Sequence, residues 1–502
     1  MINRQLCYYA FGFSMAYPVS RFFAPNHLTL SLGAYAAIAV ASPAVAQIAA
    51  GPGINPRTVW SEPPEIFETR VLASDFEDPW EVTYGPDGHL WVTERIGKRV
   101  VRIDPADGTR RVAVTIDEVV QQLTQDGLLG LALHPNFLAG SNYVFVMYTY
   151  DADPGPDEAR RAKIRRYRFD PDSERLVEPR DILTGLPHGP DHGASRIVFG
   201  PDGMLYASRG DHGANFLAYY CEPIRAQELP EAADIAAGNW RGYEGKILRI
   251  DPDGLIPDDN PMFMGVRSHV FSYGHRNPQG MAFGPDGFLY SAEHGQDTDD
   301  EVNRIVAGGN YGWPLIAGFQ DDAYYTYTNW SASSPTPCVE LPYGGEPPDS
   351  VPRVRESDVD LPDFEPPLMS FFTVPSTHNA RASGNATAAL TGLDVYSSDA
   401  IPGWNPSILV ASLVSGTIFR IPLDPVGLGD QVTSGGEIGE QPLTYFKAED
   451  RYRDLAISPD GLKIYAITTS YGRTLTATGE TTPNLANPGA LLEFTYLGPR
   501  TN

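Results

Sequence analysis

Apolar and polar positions along the chain fall into a recurring phrase: an apolar residue, a Pro-Asp-Gly turn, then an alternating apolar run. It reads YGPDGHLWVTER from Tyr84, FGPDGMLYASRG from Phe199, FGPDGFLYSAEH from Phe283 and ISPDGLKIYAIT from Ile457. Proline presets φ and glycine accepts positive φ, so each copy predicts a hairpin feeding a strand. Two weaker versions fill the gaps, LALHPNFLAGSNYVFVMYTY from Leu131 and GLDVYSSDAIPGWNPSILVASL from Gly392. Further strands follow promptly, as in RVVRIDPADG and KILRIDPDG. Six such units predict an all-β fold, a six-bladed β-propeller of four-stranded antiparallel sheets. Function in this architecture gathers at one end of the central channel, where loops distant in sequence meet.

Composition agrees with many turns and few long helices, with Gly 49 and Pro 45 in 502 residues. The run LTLSLGAYAAIAVASPAVAQ, preceded by Arg21, has the length and the small-residue ending, Ala44-Val45-Ala46, of an export signal. It is short for a membrane span and is broken by Gly33, Ser42 and Pro43. Residues 1–46 are therefore expected to be a signal peptide and residues 47–502 a single propeller domain, periplasmic or secreted, with no membrane attachment after cleavage. The first 46 residues hold Arg4 and Arg21 and no acid, so cleavage takes the formal net charge from −26 to −28. So acidic a surface argues against nucleic acid and anionic membranes as partners and fits a protein that holds cations. Cys221 and Cys338 remain in the mature chain without a CxxC pair, and their spacing leaves a disulfide open. The Pro-, Ser- and acid-rich stretch 320–367 is expected to be a long surface insertion between blades.

Two local charge patterns change this picture. In SAEHGQDTDDEVNRIVAGGNYGWPLIAGFQDD, Asp297, Asp299, Asp300 and Glu301 crowd behind a glycine, with Asp321 and Asp322 following later. Hard cations such as Ca²⁺ take about six to eight oxygens from carboxylates and backbone carbonyls, and the alternative is a solvated acidic loop. The second pattern is basic. YGHRNPQG places His275, Arg276 and Asn277, and DRYRD places Arg451 and Arg453, directly before blade strands. Arginine forks bind carboxylates bidentately, so three arginines at blade mouths read as a pocket for a small polyanion; the ordinary alternative pairs Arg453 with Asp450 or Asp454. In HGPDHGASR, His188 and His192 are four apart, but the intervening Gly-Pro argues against the helix a zinc pair needs. A histidine base needs a partner that fixes its tautomer. Asp211, in SRGDHGANF at the end of the next strand, is placed for this; His212 competes for the same role, and a plain loop histidine is the alternative.

Taken together, DGLLGLALHPNF, GLPHGPDHGASRIVFGPDG, EGKILRIDPDGLIPDDNP, YGHRNPQGMAFGPDG, TDDEVNRIVAGGNYGWPLIAGFQDD and RYRDLAISPDG resemble the soluble glucose and aldose sugar dehydrogenases that depend on pyrroloquinoline quinone (PQQ). The match runs in order from about Asp78 to Tyr496. The resemblance implies a six-bladed propeller that carries calcium and the quinone. It implies oxidation of the anomeric hydroxyl of an aldose to the lactone, with an external electron acceptor, and leaves a homodimer open. By position it makes His192 the general base, Asp211 the group that holds its ring, and Arg276 the cation that stabilises the developing oxyanion, with Asn277 beside it. Gln125 would contact the cofactor from an earlier blade, and Arg451 and Arg453 would bind its carboxylates. The carbonyls of Gly295 and Gln296 would hold the calcium that polarises the quinone. A second, structural calcium would use Glu301, Asp321 and the carbonyls of Tyr311 and Ala317.

Three departures from the family pattern bear on cofactor and substrate. Val414, in ASLVSGTIFRI, stands where the glucose enzymes have a cofactor-binding lysine. The aromatic-rich sugar-side loop is shortened to VPSTHNARASGNATAALTG, with Arg381 or His378 as the residue that would compensate. Phe216 replaces a polar residue near the base and makes that wall more apolar. Cofactor use is therefore expected, whereas glucose as the substrate is not supported. The rivals are a non-catalytic propeller that binds a sugar or protein, and a calcium-dependent lactonase.

Overall fold

The computed structural model describes residues 63–501 apart from 123–124, 154, 156–158, 190, 379–385 and 424–442. The expected signal peptide, 1–46, and Arg381 lie outside the described residues. Six four-stranded antiparallel sheets follow one another along the chain. Blade 1 runs through Pro79–Tyr84, Leu90–Glu94, Arg99–Ile103 and Arg110–Thr115, and blade 2 through Leu128–Leu133, Tyr143–Asp151, Arg160–Asp170 and Arg175–Pro187. Blade 3 is Ile197–Phe199, Leu205–Arg209, Lys246–Ile250 and Val270–Tyr273; blade 4 is Pro278–Phe283, Leu289–Glu293, Asp300–Ile305 and Met369–Phe371. Blade 5 is Leu390–Tyr396, Ser407–Ser412, Ile418–Pro422 and Leu443–Tyr445. Blade 6 takes Tyr452–Ile457, Lys463–Thr468 and Leu491–Pro499, and is completed by Glu65–Ala73 from the other end of the described chain. The expected six-bladed propeller is the fold.

The Pro-Asp-Gly turns join the two innermost strands of blades 1, 3, 4 and 6. Gly88, Gly203, Gly287 and Gly461 have φ of 75, 77, 81 and 71°, a region where a side chain is strained. The aspartate before each glycine accepts the N–H two residues on, from His89 at 3.3 Å, Met204 at 3.1 Å, Phe288 at 3.1 Å and Leu462 at 3.0 Å. In blades 3 and 4 its other oxygen takes the Tyr206 and Tyr290 hydroxyls from the strand that follows, at 3.0 and 2.6 Å. The phrase thus encodes turn and strand together, which is why it repeats. The alternating apolar residues of each sheet bury against the next blade. Trp91, Tyr148 and Phe169 fill one such layer, and Phe145, Ile164 and Leu248 the next.

The stretch 320–367 is not a connector between blades. It lies inside blade 4, between the third strand and Met369–Phe371, and carries a short ribbon pairing Tyr327–Thr328 with Arg353–Val354. The blade recruits its outer strand only after this detour, because Met369–Phe371 is the apolar segment that completes the ladder on Asp300–Ile305. Cys221 and Cys338 form a disulfide. It ties the loop after the second strand of blade 3 to the insertion, beside Tyr220, Trp330 and Tyr343. Among the described residues no helix is long and apolar enough to cross a membrane.

Candidate active site

In every blade the innermost strand begins, and the second strand ends, at the channel end opposite the inner hairpin turns. Residues flanking those points converge there whatever their distance in sequence. His192 precedes Ile197–Phe199 and Asp211 follows Leu205–Arg209; Gln125 precedes Leu128–Leu133. Arg276 and Asn277 precede Pro278–Phe283, Gly295 and Gln296 follow Leu289–Glu293, and Arg451 and Arg453 flank Tyr452 at the start of Tyr452–Ile457.

His192 Nδ1 lies 2.6 Å from Asp211 Oδ1. Asp211 Oδ2 accepts the Trp313 indole N–H at 2.8 Å, and Oδ1 also accepts the Gly213 N–H at 2.9 Å. Burial pushes the Asp211 carboxyl up, but the His192 ring, Arg276 and the Gly213 N–H outweigh it and hold it below its ordinary value. A carboxylate on Nδ1 fixes the proton there and leaves Nε2 as the acceptor. The approach depends on Gly210, because a Cβ there would come within 1.9 Å of the His192 carbonyl oxygen. His192, Ala194 and Ser195 have φ of 46, 44 and 72°, a left-handed run whose strain the surrounding contacts must offset. Phe216 stacks beside the His192 ring, with centroids 6.2 Å apart and planes 23° from parallel.

The other histidines have separate work. His188 donates from Nε2 to the Gln125 carbonyl at 3.2 Å and accepts from Arg209 at Nδ1, also at 3.2 Å. His212 meets Arg209 at 3.4 Å. Among the described residues, no three His, Cys, Asp or Glu side chains are grouped to hold a metal ion.

Gln125 ties the mouth together. Its amide nitrogen donates to Asp191 at 2.6 Å; its oxygen accepts from Gly193 N at 3.1 Å, Gln279 Nε2 at 2.8 Å and Asn277 Nδ2 at 3.4 Å. Gln279 passes the chain on by accepting from Arg453 at 3.0 Å. Blades 2, 4 and 6 are thus joined by side-chain amides across the channel.

The arginines do not pair with the acids beside them in sequence. Asp450 is used by the Asn487 backbone and side-chain amides at 2.7 and 2.8 Å, and Asp454 by Arg196 and the Val82 N–H, both at 2.8 Å. Arg453 lies over Trp80 at 4.0 Å and Arg276 over Trp313 at 5.3 Å. The Nε atoms of Arg276, Arg451 and Arg453, and Nε2 of His294, are buried with no hydrogen-bond partner. Burial lowers Arg451 to about 10 and Arg453 to about 9, offset only in part by Asp78. His294 is driven well below its ordinary value by burial and then by Arg276, Arg453, His192 and Arg451. Native interiors rarely leave such groups unsatisfied, and this donor set fits a small polyanion.

The acidic loop divides into shaping and available groups. Asp300 is committed to the backbone N–H groups of Gly295 at 2.9 Å and of Ala388 and Ala389 at 2.8 Å, and Asp322 to Arg355 and Ser357 at 2.6 Å. Glu301 accepts from Gly318 N at 2.7 Å and Asn303 at 3.0 Å. Asp321 lies with Glu356, which receives the N–H groups of Ala317, Asp321 and Asp322 at 2.9, 3.3 and 3.0 Å. Burial raises Asp299 to about 7, Glu356 to about 8, and Glu301 well above its ordinary value. Among the described residues, the carbonyls of Gly295, Gln296, Tyr311 and Ala317 accept no hydrogen bond. Oxygen ligands for a hard cation are therefore present, mostly on the backbone.

Glu356, His294, Trp80 and Trp313 were not singled out from the sequence. Trp313 stands in the GGNYGWP signature, which could have pointed to it; Glu356 lies deep in the insertion, where no spacing marks it. At Val414 the backbone N–H donates to Ala388 and the carbonyl accepts from Leu475 and Thr474. Nearby Lys447 is bound to the Ser415 and Leu475 carbonyls, at 2.7 and 2.5 Å.

The profile of the glucose/sorbosone dehydrogenase family matches residues 76–341. The chain is 38% identical over 446 residues to quinoprotein glucose dehydrogenase B of Acinetobacter calcoaceticus, covering 86% of this chain and 91% of that one. It is 26% identical to an aldose sugar dehydrogenase of Escherichia coli, over 82% of this chain and 92% of the relative. Among solved structures it is similar to the PQQ-bound aldose sugar dehydrogenase of Streptomyces coelicolor, with a TM-score of 0.58, 26% identity, and 87% of this chain and all (100%) of that one covered. Fold, site and sequence agree: this chain belongs to the glucose/sorbosone dehydrogenase family.

Proposed function

We propose that the protein is an exported quinoprotein dehydrogenase that oxidises the anomeric hydroxyl of an aldose, or a related alcohol, to the lactone. The observation that carries this reading is one channel mouth holding both a carboxylate-oriented histidine and three arginines whose buried Nε atoms have no partner. PQQ is a tricarboxylate: Arg276, Arg451 and Arg453 would hold it, with Gln125 and Asn277 at its edge. The Gly295 and Gln296 carbonyls would carry its Ca²⁺, and Glu301, Asp321, Tyr311 and Ala317 a second, structural one. When bound, PQQ would supply a two-electron acceptor for the substrate hydride, Ca²⁺ would supply its polarisation, and an external electron acceptor would be the final oxidant.

The remaining chemistry belongs to the chain. Nε2 of His192 takes the substrate hydroxyl proton, and Asp211 stabilises the imidazolium that results. Trp313 and Gly213 orient Asp211, and the His192 ring, Arg276 and the Gly213 N–H keep it ionised. Arg276, held by the His294 carbonyl at 3.2 Å, is a fixed charge that needs no reorganisation as the substrate oxygen develops charge. Phe216 gives the base an apolar neighbour. The Cys221–Cys338 disulfide supports an oxidising compartment, periplasmic or extracellular. A carboxylate-metal lactonase has no use for the arginine trio.

A visible absorption titration of the metal-free protein with PQQ and Ca²⁺ should give a saturable complex that oxidises aldoses with a dye acceptor. His192→Ala should keep the absorbance change and lose activity by on the order of 10³-fold or more. Full activity in that variant, or no complex in the parent, would overturn the reading.

A further inference from the structure

We propose a second ligand site, for a compact oxyanion, on the shoulder of the propeller between blades 2 and 3. A cavity of about 350 Å³ there is lined by Arg161, Arg225, Arg241, His188, His212 and Glu244, among others. Behind the two histidines lies Arg209, with none of its surface exposed. It donates to His188 at 3.2 Å, His212 at 3.4 Å and Ser195 Oγ at 2.7 Å, and its Nε has no partner.

Charge around this cavity is out of balance. The acids that approach these arginines are Glu244, 3.9 Å from Arg225, and Glu228, 3.5 Å from Arg225 and 3.7 Å from Arg241, while Asp234 nearby takes the Asn239 amide at 2.6 Å. None of these approaches is a close bidentate pair, and Arg161 spends one N–H on the Arg160 carbonyl at 2.8 Å. Three arginines therefore line the cavity against one lining carboxylate, Glu244, with Glu228 loosely engaged beside them, on a chain whose net charge is −26. His188 and His212 are held neutral, first by burial and then by Arg209, so they line the cavity without adding charge of either sign. Guanidinium forks converging on a concave site match sulfate-, phosphate- or carboxylate-like groups. Trp240, anchored through its Nε1 to the Thr184 carbonyl at 2.7 Å, supplies one flat wall. The site is separate from the arginine trio at the channel mouth. A smaller pocket lined by Asp211, His212, Arg225 and Glu244 adjoins it, which places the oxyanion on the outer side of the His192–Asp211 pair.

The test is calorimetric titration of the PQQ- and calcium-loaded protein with sulfate, and separately with acetate, at ionic strength matched with chloride. One saturable site per chain is expected. The Arg161→Ser/Arg241→Ser double variant should bind at least tenfold more weakly, whereas Arg168→Ser, on an exposed arginine elsewhere, should bind as the parent does. Preference for sulfate makes the ligand a tetrahedral oxyanion, and preference for acetate makes it a carboxylate. No saturable binding of either anion would overturn the proposal. Binding unchanged by the double variant, or lost instead in Arg453→Met, would do the same. The channel-mouth arginines answer to a different variant, so failure here and failure of the dehydrogenase reading are distinguishable.

Discussion

Arg453 is held at the channel mouth at a cost in stability. It is 8% exposed, its nearest sequence acids are used elsewhere, and burial lowers its pKa to about 9. An uncompensated buried charge destabilises the fold and strengthens binding of an anion that neutralises it. Replacing Arg453 with Met should therefore raise the melting temperature of the cofactor-free protein, by an amount equivalent to about 1–3 kcal/mol. The same variant should weaken PQQ binding by on the order of 10²-fold or more. Thermal melts and absorption titration on one preparation check both signs, and a less stable cofactor-free variant would contradict the argument. Asp211 makes the complementary case. Asp211→Asn keeps the shape but offers only one acceptor oxygen for the three donors now on the carboxylate, His192, Trp313 and Gly213. The imidazole tautomer is then no longer fixed, and kcat should fall on the order of 10³-fold with cofactor binding unchanged. Chain order brings His192 and Asp211 to one blade mouth but left His212 and a plain loop histidine open, and the resemblance to the family chose between them. The resemblance also marked Phe216 beside the base, whereas Trp313 acts on Asp211 through a contact that spacing does not record.

Turn chemistry made the blades legible at the level of elements: each Pro-Asp-Gly phrase carries its own hydrogen bonds, so the pattern survives any context. The insertion in blade 4 was legible only as composition, and its place within the blade was not, because the outer strand Met369–Phe371 is three residues long. That insertion brings Glu356 to the acidic loop. Asp299 and Glu356 are raised to about 7 and about 8, first by burial. Their folded values lie above the unfolded ones, near 4. Without metal, the stability they contribute is full below about pH 4 and is lost as pH rises through about 7 and 8. A bound cation requires the ionised forms and reverses that loss. Calcium should therefore raise the melting temperature more at pH 8.5 than at pH 6, and chelation should do most harm at the alkaline end. Melts with and without Ca²⁺ at the two pH values test this; an equal gain at both would place the metal away from these acids.

Closure of the whole ring depends on two features with no repeat to announce them. One is the strand Glu65–Ala73, which pairs from Glu65↔Pro499 to Ala73↔Leu491 and seals blade 6 with residues from opposite ends of the described chain. The other is Arg196, buried in the channel waist at the start of blade 3. It reaches Glu81 of blade 1 and, at 2.8 Å, Asp454 of blade 6, while its Nε donates to the Gln279 carbonyl of blade 4 at 3.2 Å. Four blades thus meet on one guanidinium. It also serves more than one acid: burial raises Glu81 well above its ordinary value and Asp394 to about 7. Removing one partner from such a network leaves buried carboxylates uncompensated, a loss of about 3–5 kcal/mol. Arg196→Met should therefore be strongly destabilised at pH 8, above the value of about 7 at which Asp394 ionises. The loss should be smaller at pH 5, where Glu81 and Asp394, both raised by burial, take up protons. Denaturant melts at the two pH values would show it. A variant as stable as the parent at pH 8 would mean that blade-to-blade apolar packing and the Glu65–Ala73 strand close the ring without the central arginine.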